Sequence, residues 1–367
     1  MKELQFGAPL MPPDVPSMIR ARLMAFLDAQ RTALVLAPME GVMDAPMRAL
    51  IADLGGFDYG VSEFVRVGQA VVTGQQILRD IPDLNGPIFG RASLPLQLQL
   101  LGDSPELLAA TAMEGCIAGA RAIDINFGCP APTILRRSGG ASLLRSPGAL
   151  TEIIAAVRKA LPAVVPVSAK IRLGWEDPNE VDVIARAVED GGANWITIHA
   201  RTKQERYQPG VHWDAVARVK SRLSIPVIAN GDLFTAEDVA RCATETGCIH
   251  FMIGRGILKN PFLAHDVRAS RSLPLLRTDI PAQLPDRLRL GIERYATLTR
   301  EKAANSGFIP SRVKQWIGMV RDISDTVPRQ VSSAVKHART TSELLALLQK
   351  PDSIPNQDVM HERPISI

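Results

Sequence analysis

The sequence predicts an α/β fold: a (β/α)8 TIM barrel followed by a C-terminal helical domain. Three observations carry this. Eight short apolar runs recur between Leu34 and Ile253. Amphipathic stretches of helical spacing separate several of them. After Pro281–Pro285 the strand signal stops and only helical patterning continues. A barrel takes roughly 250 residues, so a chain of 367 residues has room for a second unit of about a hundred.

The runs are Leu34–Ala37, Tyr59–Val61, Leu96–Leu100, Ala122–Ile125, Val167–Ile171, Trp195–His199, Val227–Ala229 and Phe251–Ile253. Each has the length and apolarity of a buried strand. Helices are expected over Glu106–Gly119, Ala149–Ala160, Glu180–Asp190 and Ala236–Glu245. Thr235 and Asp238 supply the last of these with a cap and first-turn acid. Alternation of this kind argues for parallel βα units, and eight of them favour a closed barrel over an open doubly wound sheet. The expected division is an N-terminal extension (1–32, with a helix over Ser17–Gln30), a barrel (33–280), a helical domain (285–350) and a loosely ordered tail (351–367). In the helical domain Arg287–Asn305, Pro310–Ile323 and Ser342–Gln349 read as helices. Val313, Trp316, Ile317 and Val320 form an apolar stripe on the middle one, with Lys314 and Arg321 opposite and Arg312 on its flank.

Composition narrows the function classes. No run of about 18 apolar residues is present, so no segment is expected to span a membrane, and the start lacks a signal-peptide pattern. Cys116, Cys129, Cys242 and Cys248 form no CxxC pair, which points to a reducing cytoplasm and neither a disulfide framework nor a structural zinc. The net charge is +4, yet residues 285–350 hold 12 Lys+Arg against 6 Asp+Glu. Basic charge concentrated there suits a phosphate-rich partner, or simply a solvated helical face.

Barrel active sites lie at the C-terminal strand ends. Here those ends carry Pro38-Met39-Glu40, Glu63, Gln99, Asp124-Ile125-Asn126, Lys170 with Arg172, His199 with Arg201, Asn230-Gly231-Asp232 and Gly254-Arg255-Gly256. So many polar groups on one rim exceed what a structural barrel needs. The loops after the seventh and eighth strands, with Gly231, Gly254 and Arg255, suit a phosphate-bearing cofactor. Lys170 and His199 end neighbouring strands, where cations can stabilise a reduced flavin; a Schiff-base role for Lys170 competes. Cys129, in Asn126-Phe127-Gly128-Cys129-Pro130, reads as the reactive residue of a glycine-flanked catalytic loop, and the other cysteines as structural.

The motifs LAPMEGVMD (36–44), SEFVRV (62–67), QLLG (99–102), DINFGCP (124–130), SGGASLL (138–144), KIRLGW (170–175), HARTK (199–203), IPVIANGD (225–232) and MIGRG (252–256) together resemble the tRNA-dihydrouridine synthases. SEFVRV and SRVKQW (311–316) are most similar to the subgroup acting on uridine 16 of the D-loop. The resemblance implies FMN as cofactor, NADPH as reductant and tRNA as substrate. It implies flavin contacts from Pro38, Met39, Gln99, Lys170 and His199, and a phosphate end held by Asn230, Gly231, Asp232, Gly254 and Arg255. Cys129 would donate the proton that completes reduction of the uracil C5=C6 bond. Asn126 and Arg172 would contact the uridine or its neighbours, Arg66 would orient the tRNA, and Arg312 and Lys314 would meet its backbone. Thr133 stands where many members carry lysine, with Arg136 and Arg137 as nearby substitutes. Two other readings remain open at this point: a dihydroorotate dehydrogenase-like enzyme acting on a free pyrimidine, and a non-catalytic RNA-binding module.

Overall fold

The computed structural model describes residues 27, 30–88, 92, 94–135, 139–206, 208, 210–275, 279–303, 308–321, 331 and 335–349. The tail 351–367, Arg136 and Arg137, and almost all of the helix expected over Ser17–Gln30 lie outside the described residues. The chain divides into two compact units, Met1–Ala282 and Gln283–Ile367.

In the first unit, parallel strands close into a ring. β1 (Leu34–Leu36) pairs with β2 (Tyr59–Val61) and with β9 (His250–Ile253). Between them run β4 (Leu96–Leu101), β5 (Ile123–Asn126), β6 (Val167–Arg172), β7 (Trp195–His199) and β8 (Val227–Asn230), with β2 bonded to β4. Eight strands in this closed order form a TIM barrel. A further piece, β3 (Val65–Arg66), also pairs with β4.

The register explains β3. Val61 lies opposite Gln97 and Val65 opposite Leu100, so three residues on one side face two on the other. That is a one-residue bulge, a device common at barrel rims beside active sites. Ser62 mends the ladder there: its Oγ accepts the backbone N–H of Gln99 at 3.0 Å.

Helices cover the outside. Those expected from the sequence are α3 (Pro105–Ile117), α5 (Pro147–Ala160), α6 (Val181–Asp190) and α8 (Ala236–Thr246). Thr235 and Asp238 form a reciprocal capping box on α8, and Gly247 ends it at φ +66°. Four helices went unread in the sequence: α1 (Ala45–Leu54), α2 (Gly74–Asp80), α7 (Trp213–Lys220) and α10 (Leu263–Ser270). The short α4 (Pro132–Leu135) and α9 (Gly256–Lys259) sit in rim loops.

Strand side chains alternate, so one set fills the barrel. Val35, Tyr59, Val61, Trp195, Ile228 and Met252 make an apolar interior cluster, with Tyr59 and Trp195 edge to face at 6.5 Å. The sector between β4 and β6 is polar instead: Gln97, Gln99, Asp124 and Ser168 are all buried and hydrogen-bonded to one another.

The second unit holds α11 (Leu284–Ala303), α12 (Phe308–Arg321) and α13 (Thr341–Gln349), which pack together. The stripe Val313, Trp316, Ile317 and Val320 is buried, and Trp316 meets Tyr295 edge-on at 6.2 Å. Lys314 is exposed and Arg312 half-buried, the latter donating to Gln315 Oε1 at 2.7 Å.

Candidate active site

At the C-terminal rim one cleft is lined by Pro38, Met39, Lys170, His199, Asn230, Gly231, Asp232, Gly254 and Arg255. These are all the residues expected to hold a cofactor except Gln99. Gln99 has no exposed surface and lies beneath the rim, its amide spent on Asp124 and Asn126 at 2.7 and 2.8 Å.

The cradle follows from backbone conformation. Gly231 has φ +122°, and a Cβ there would stand 3.1 Å from the His199 ring, so glycine alone is unstrained. Asp232 follows at φ +50°. Its carboxylate takes both Arg201 terminal nitrogens at 2.9 and 2.5 Å and one from Arg255 at 3.2 Å. The sequence did not single out this pairing. Asp232 therefore orients two guanidinium groups, and Arg255, the more exposed of the two at 29% against 1% for Arg201, is the one left toward the cleft.

Lys170 donates to Asn230 Oδ1 at 3.1 Å, and Asn230 Nδ2 donates to the Met252 carbonyl at 2.7 Å, tying three strand ends together. Burial, then the Arg172 charge, pulls the Lys170 ammonium down to about 8, which leaves it a cation near neutrality. Burial together with Arg172, Lys170, Arg201 and Arg255 holds His199 well below the usual imidazole range. Both groups were expected to act as cations; the surroundings disfavour the charged form of each, and far more strongly for His199 than for Lys170.

The Cys129 loop is pinned from three sides. Asn126 Oδ1 accepts the N–H groups of Gly128 and Cys129 at 3.0 and 2.9 Å. Arg172 Nε donates to the Gly128 carbonyl at 2.9 Å, while its Nη1 reaches the carbonyls of Thr202 and Arg206, both at 3.1 Å. Ala141 N–H donates to the Cys129 carbonyl at 3.1 Å. That last approach requires Gly140, at φ +58°, where a Cβ would come within 2.9 Å of the same oxygen. Burial raises the Cys129 thiol above its ordinary value, opposed in part by the Ala131 N–H and by Arg172 and Arg66. The thiol is protonated at neutral pH. Asn126 and Arg172 are 8% and 2% exposed, so both act here as loop anchors.

Beside this loop Arg66, exposed on β3, lines a second cleft with Gln69, Asp103, Thr133 and Gly139. Glu63, in the bulge, accepts the Gly41 N–H at 2.6 Å and ties the first rim loop to the second. Arg312 and Lys314 belong to the second unit. Among the described residues no helix is long and apolar enough to cross a membrane.

Comparison with known proteins identifies the family. The family model described as dihydrouridine synthase matches residues 35–317. The chain is 38% identical over 297 residues to a tRNA-dihydrouridine(16) synthase of Neisseria meningitidis serogroup A, covering 81% of this chain and 88% of that protein. It is 36% identical over 326 residues to one of Shewanella oneidensis, covering 88% and 99%, and 43% identical over 235 residues to one of Cupriavidus necator, covering 64% and 73%. A solved structure of histamine dehydrogenase from Rhizobium sp. 4-9 is similar at a TM-score of 0.51 and 13% identity, over 89% of this chain and 63% of that one; at that identity the likeness is one of fold. On the family match and these relatives, the chain belongs to the dihydrouridine synthase family.

Proposed function

We propose that the protein is a flavin-dependent tRNA-dihydrouridine synthase that reduces the C5=C6 bond of uridine 16, with FMN as cofactor and NADPH as reductant. The observation that carries this is a thiol, Cys129, on a loop pinned by Asn126 and Arg172, at the same rim as the glycine and arginine cradle. The numbered position rests on the names of the relatives, with Arg66 on β3 placed beside the cysteine loop.

The residues present fit a flavin mononucleotide. Gly231 and Gly254 line the cleft with backbone that carries no side chain, and Arg255 offers charge-assisted hydrogen bonds to a phosphate. Pro38 and Met39, on the first loop, wall the cleft. When bound, the flavin supplies the hydride that saturates C6. Lys170 offsets the negative charge that accumulates in the cleft, and the neutral His199 contributes hydrogen bonding. Asn230 holds Lys170 in place.

Cys129 delivers a proton from sulfur to C5 and is reprotonated from solvent. Its raised pKa keeps the proton in place until the developing carbanion draws it away. Arg172 and Asn126 keep the thiol where the base arrives. The target base must leave its stack, which costs a few kcal/mol in a duplex and less in a loop. Arg66, with Arg312 and Lys314 of the second unit, takes the tRNA backbone, whose phosphates dominate affinity. The free cysteines Cys116, Cys129, Cys242 and Cys248 and a tRNA substrate support a cytoplasmic enzyme.

The test is to denature the purified protein and identify the released flavin, then to map dihydrouridine in unmodified tRNA after incubation with NADPH. FMN and a gain at position 16 are expected. FAD, or a gain at another position alone, overturns the corresponding assignment, and turnover of free dihydroorotate without tRNA reduction overturns the substrate class.

A further inference from the structure

Beneath the cleft the polar sector of the barrel forms one continuous chain. Gln97 Nε2 donates to the Ile123 carbonyl at 3.1 Å and to Ser168 Oγ at 2.8 Å. Ser168 Oγ donates to Asp124 Oδ1 at 2.5 Å. Gln99 Nε2 donates to Asp124 Oδ2 at 2.7 Å, and Asn126 Nδ2 donates to Gln99 Oε1 at 2.8 Å. Asn126 Oδ1 then receives Gly128 and Cys129. Asp124 is 1% exposed and does not line the cleft.

We propose that Asp124 is a positioning residue for the cysteine: its carboxylate, which only accepts, sets the donor direction of a chain that ends on the Cys129 backbone. An ionised carboxylate forces Gln99 to turn its nitrogen inward. The Gln99 oxygen then faces Asn126, whose nitrogen must answer it, and the Asn126 oxygen is left for the two loop N–H groups. Inverting one amide would set donor against donor, and a buried unpaired polar group costs about 1–3 kcal/mol. Completing the chain therefore disciplines the loop. The charged and titratable groups facing Asp124 are Lys170 on β6 and Tyr59 on β2. Lys170 favours the ionised form, and burial opposes it, raising Asp124 to about 6.

The inference rests on the proposed reaction only for its catalytic consequence, so its first readout is independent of activity. In the full-length, flavin-loaded protein, Asp124→Asn is isosteric but supplies a donor toward Gln99 or Ser168. Hydrogen exchange at the Gly128 and Cys129 amides should rise at least tenfold, with the strand amides of β7–β9 unchanged. Turnover of tRNA should fall at least tenfold in kcat, with KM changed less than threefold and flavin absorbance retained. In the pair Asp124→Asn with Gln99→Glu the amide and carboxylate trade places, every partner is kept, and both protection and turnover should recover. That double variant decides the matter should the single one not fold.

Wild-type exchange in Asp124→Asn, or a double variant no better than the single, overturns the proposal. So does a kcat deficit that vanishes when pH is lowered from 8 to 6.5, which would assign the effect to the lost anion beside Lys170. Absence of tRNA reduction by the unaltered protein would count against the proposed function alone, and the exchange result would still decide the role of Asp124.

Discussion

Replacing Lys170 by methionine separates stability from function. Burial brings the ammonium from 10.5 to about 8 in the folded state. A pKa unit corresponds to 1.36 kcal/mol, so holding the cation costs roughly 3 kcal/mol at most. The side chain is only half-buried, which discounts the figure, and removing it strands Asn230 Oδ1, which offsets about 1 kcal/mol. The net expectation for the flavin-free protein at pH 7 is a gain of roughly 1–2 kcal/mol for Lys170→Met, a rise of a few degrees in Tm for a unit of this size. The sign follows from the depressed folded-state pKa. The penalty is fully present below about 8, is relieved between about 8 and 10.5, and is gone above. The difference between variant and wild type should therefore shrink across that window. The same variant should bind FMN about 10- to 100-fold more weakly, the worth of a charged hydrogen bond. Thermal melts of both proteins from pH 7 to 10, stripped of flavin, are the assay. A variant less stable than wild type at pH 7, or a difference that does not move with pH, would show that the buried ammonium carries no such cost.

Three further outcomes are expected. Cys129→Ala should abolish dihydrouridine formation while flavin absorbance and tRNA affinity stay within twofold, and wild-type turnover should hold through neutrality and decline only above the ordinary thiol value of 9.0; a pH–rate profile of both proteins checks this. Gly231→Ala forces a Cβ to 3.1 Å from the His199 ring at φ +122°, and strain of about 1–3 kcal/mol should weaken FMN binding by about tenfold or more in a fluorescence titration. Arg312→Glu with Lys314→Glu should weaken tRNA binding and reduce its log–log salt slope by about one per lost phosphate contact, with flavin affinity unchanged.

The barrel strands were legible because a strand buried on both faces must be a short apolar run. The helices that escaped notice are short or capped without a strong pattern. Asp44 before Ala45-Pro46 was a readable start, its side chain taking the Met47 N–H at 3.1 Å. Trp213–Lys220 has no side-chain cap. Two-residue β3 and its bulge carry no periodic signal at all, since they exist only as a register offset against β4. The rim residues could be listed from strand ends, but not their division of labour. Gln99 sits at the end of an apolar run, and only the barrel shows that it is sealed below the cleft. Gln97 and Ser168 are 71 positions apart, Arg201 and Asp232 are 31 apart, and only the packing of the strands that carry or precede them brings each pair together. The depressed pKa of His199 likewise depends on its burial in the barrel and then on four cations converging in space.

On the proposed mechanism this rim reduces a uridine in tRNA and Cys129 supplies the proton. The most direct test is nucleoside mass spectrometry on unmodified tRNA after incubation with the flavin-loaded protein and NADPH, run beside Cys129→Ala. New dihydrouridine is expected with the unaltered protein and none with the variant. No dihydrouridine from a yellow, folded protein, or equal amounts from both, would contradict that mechanism.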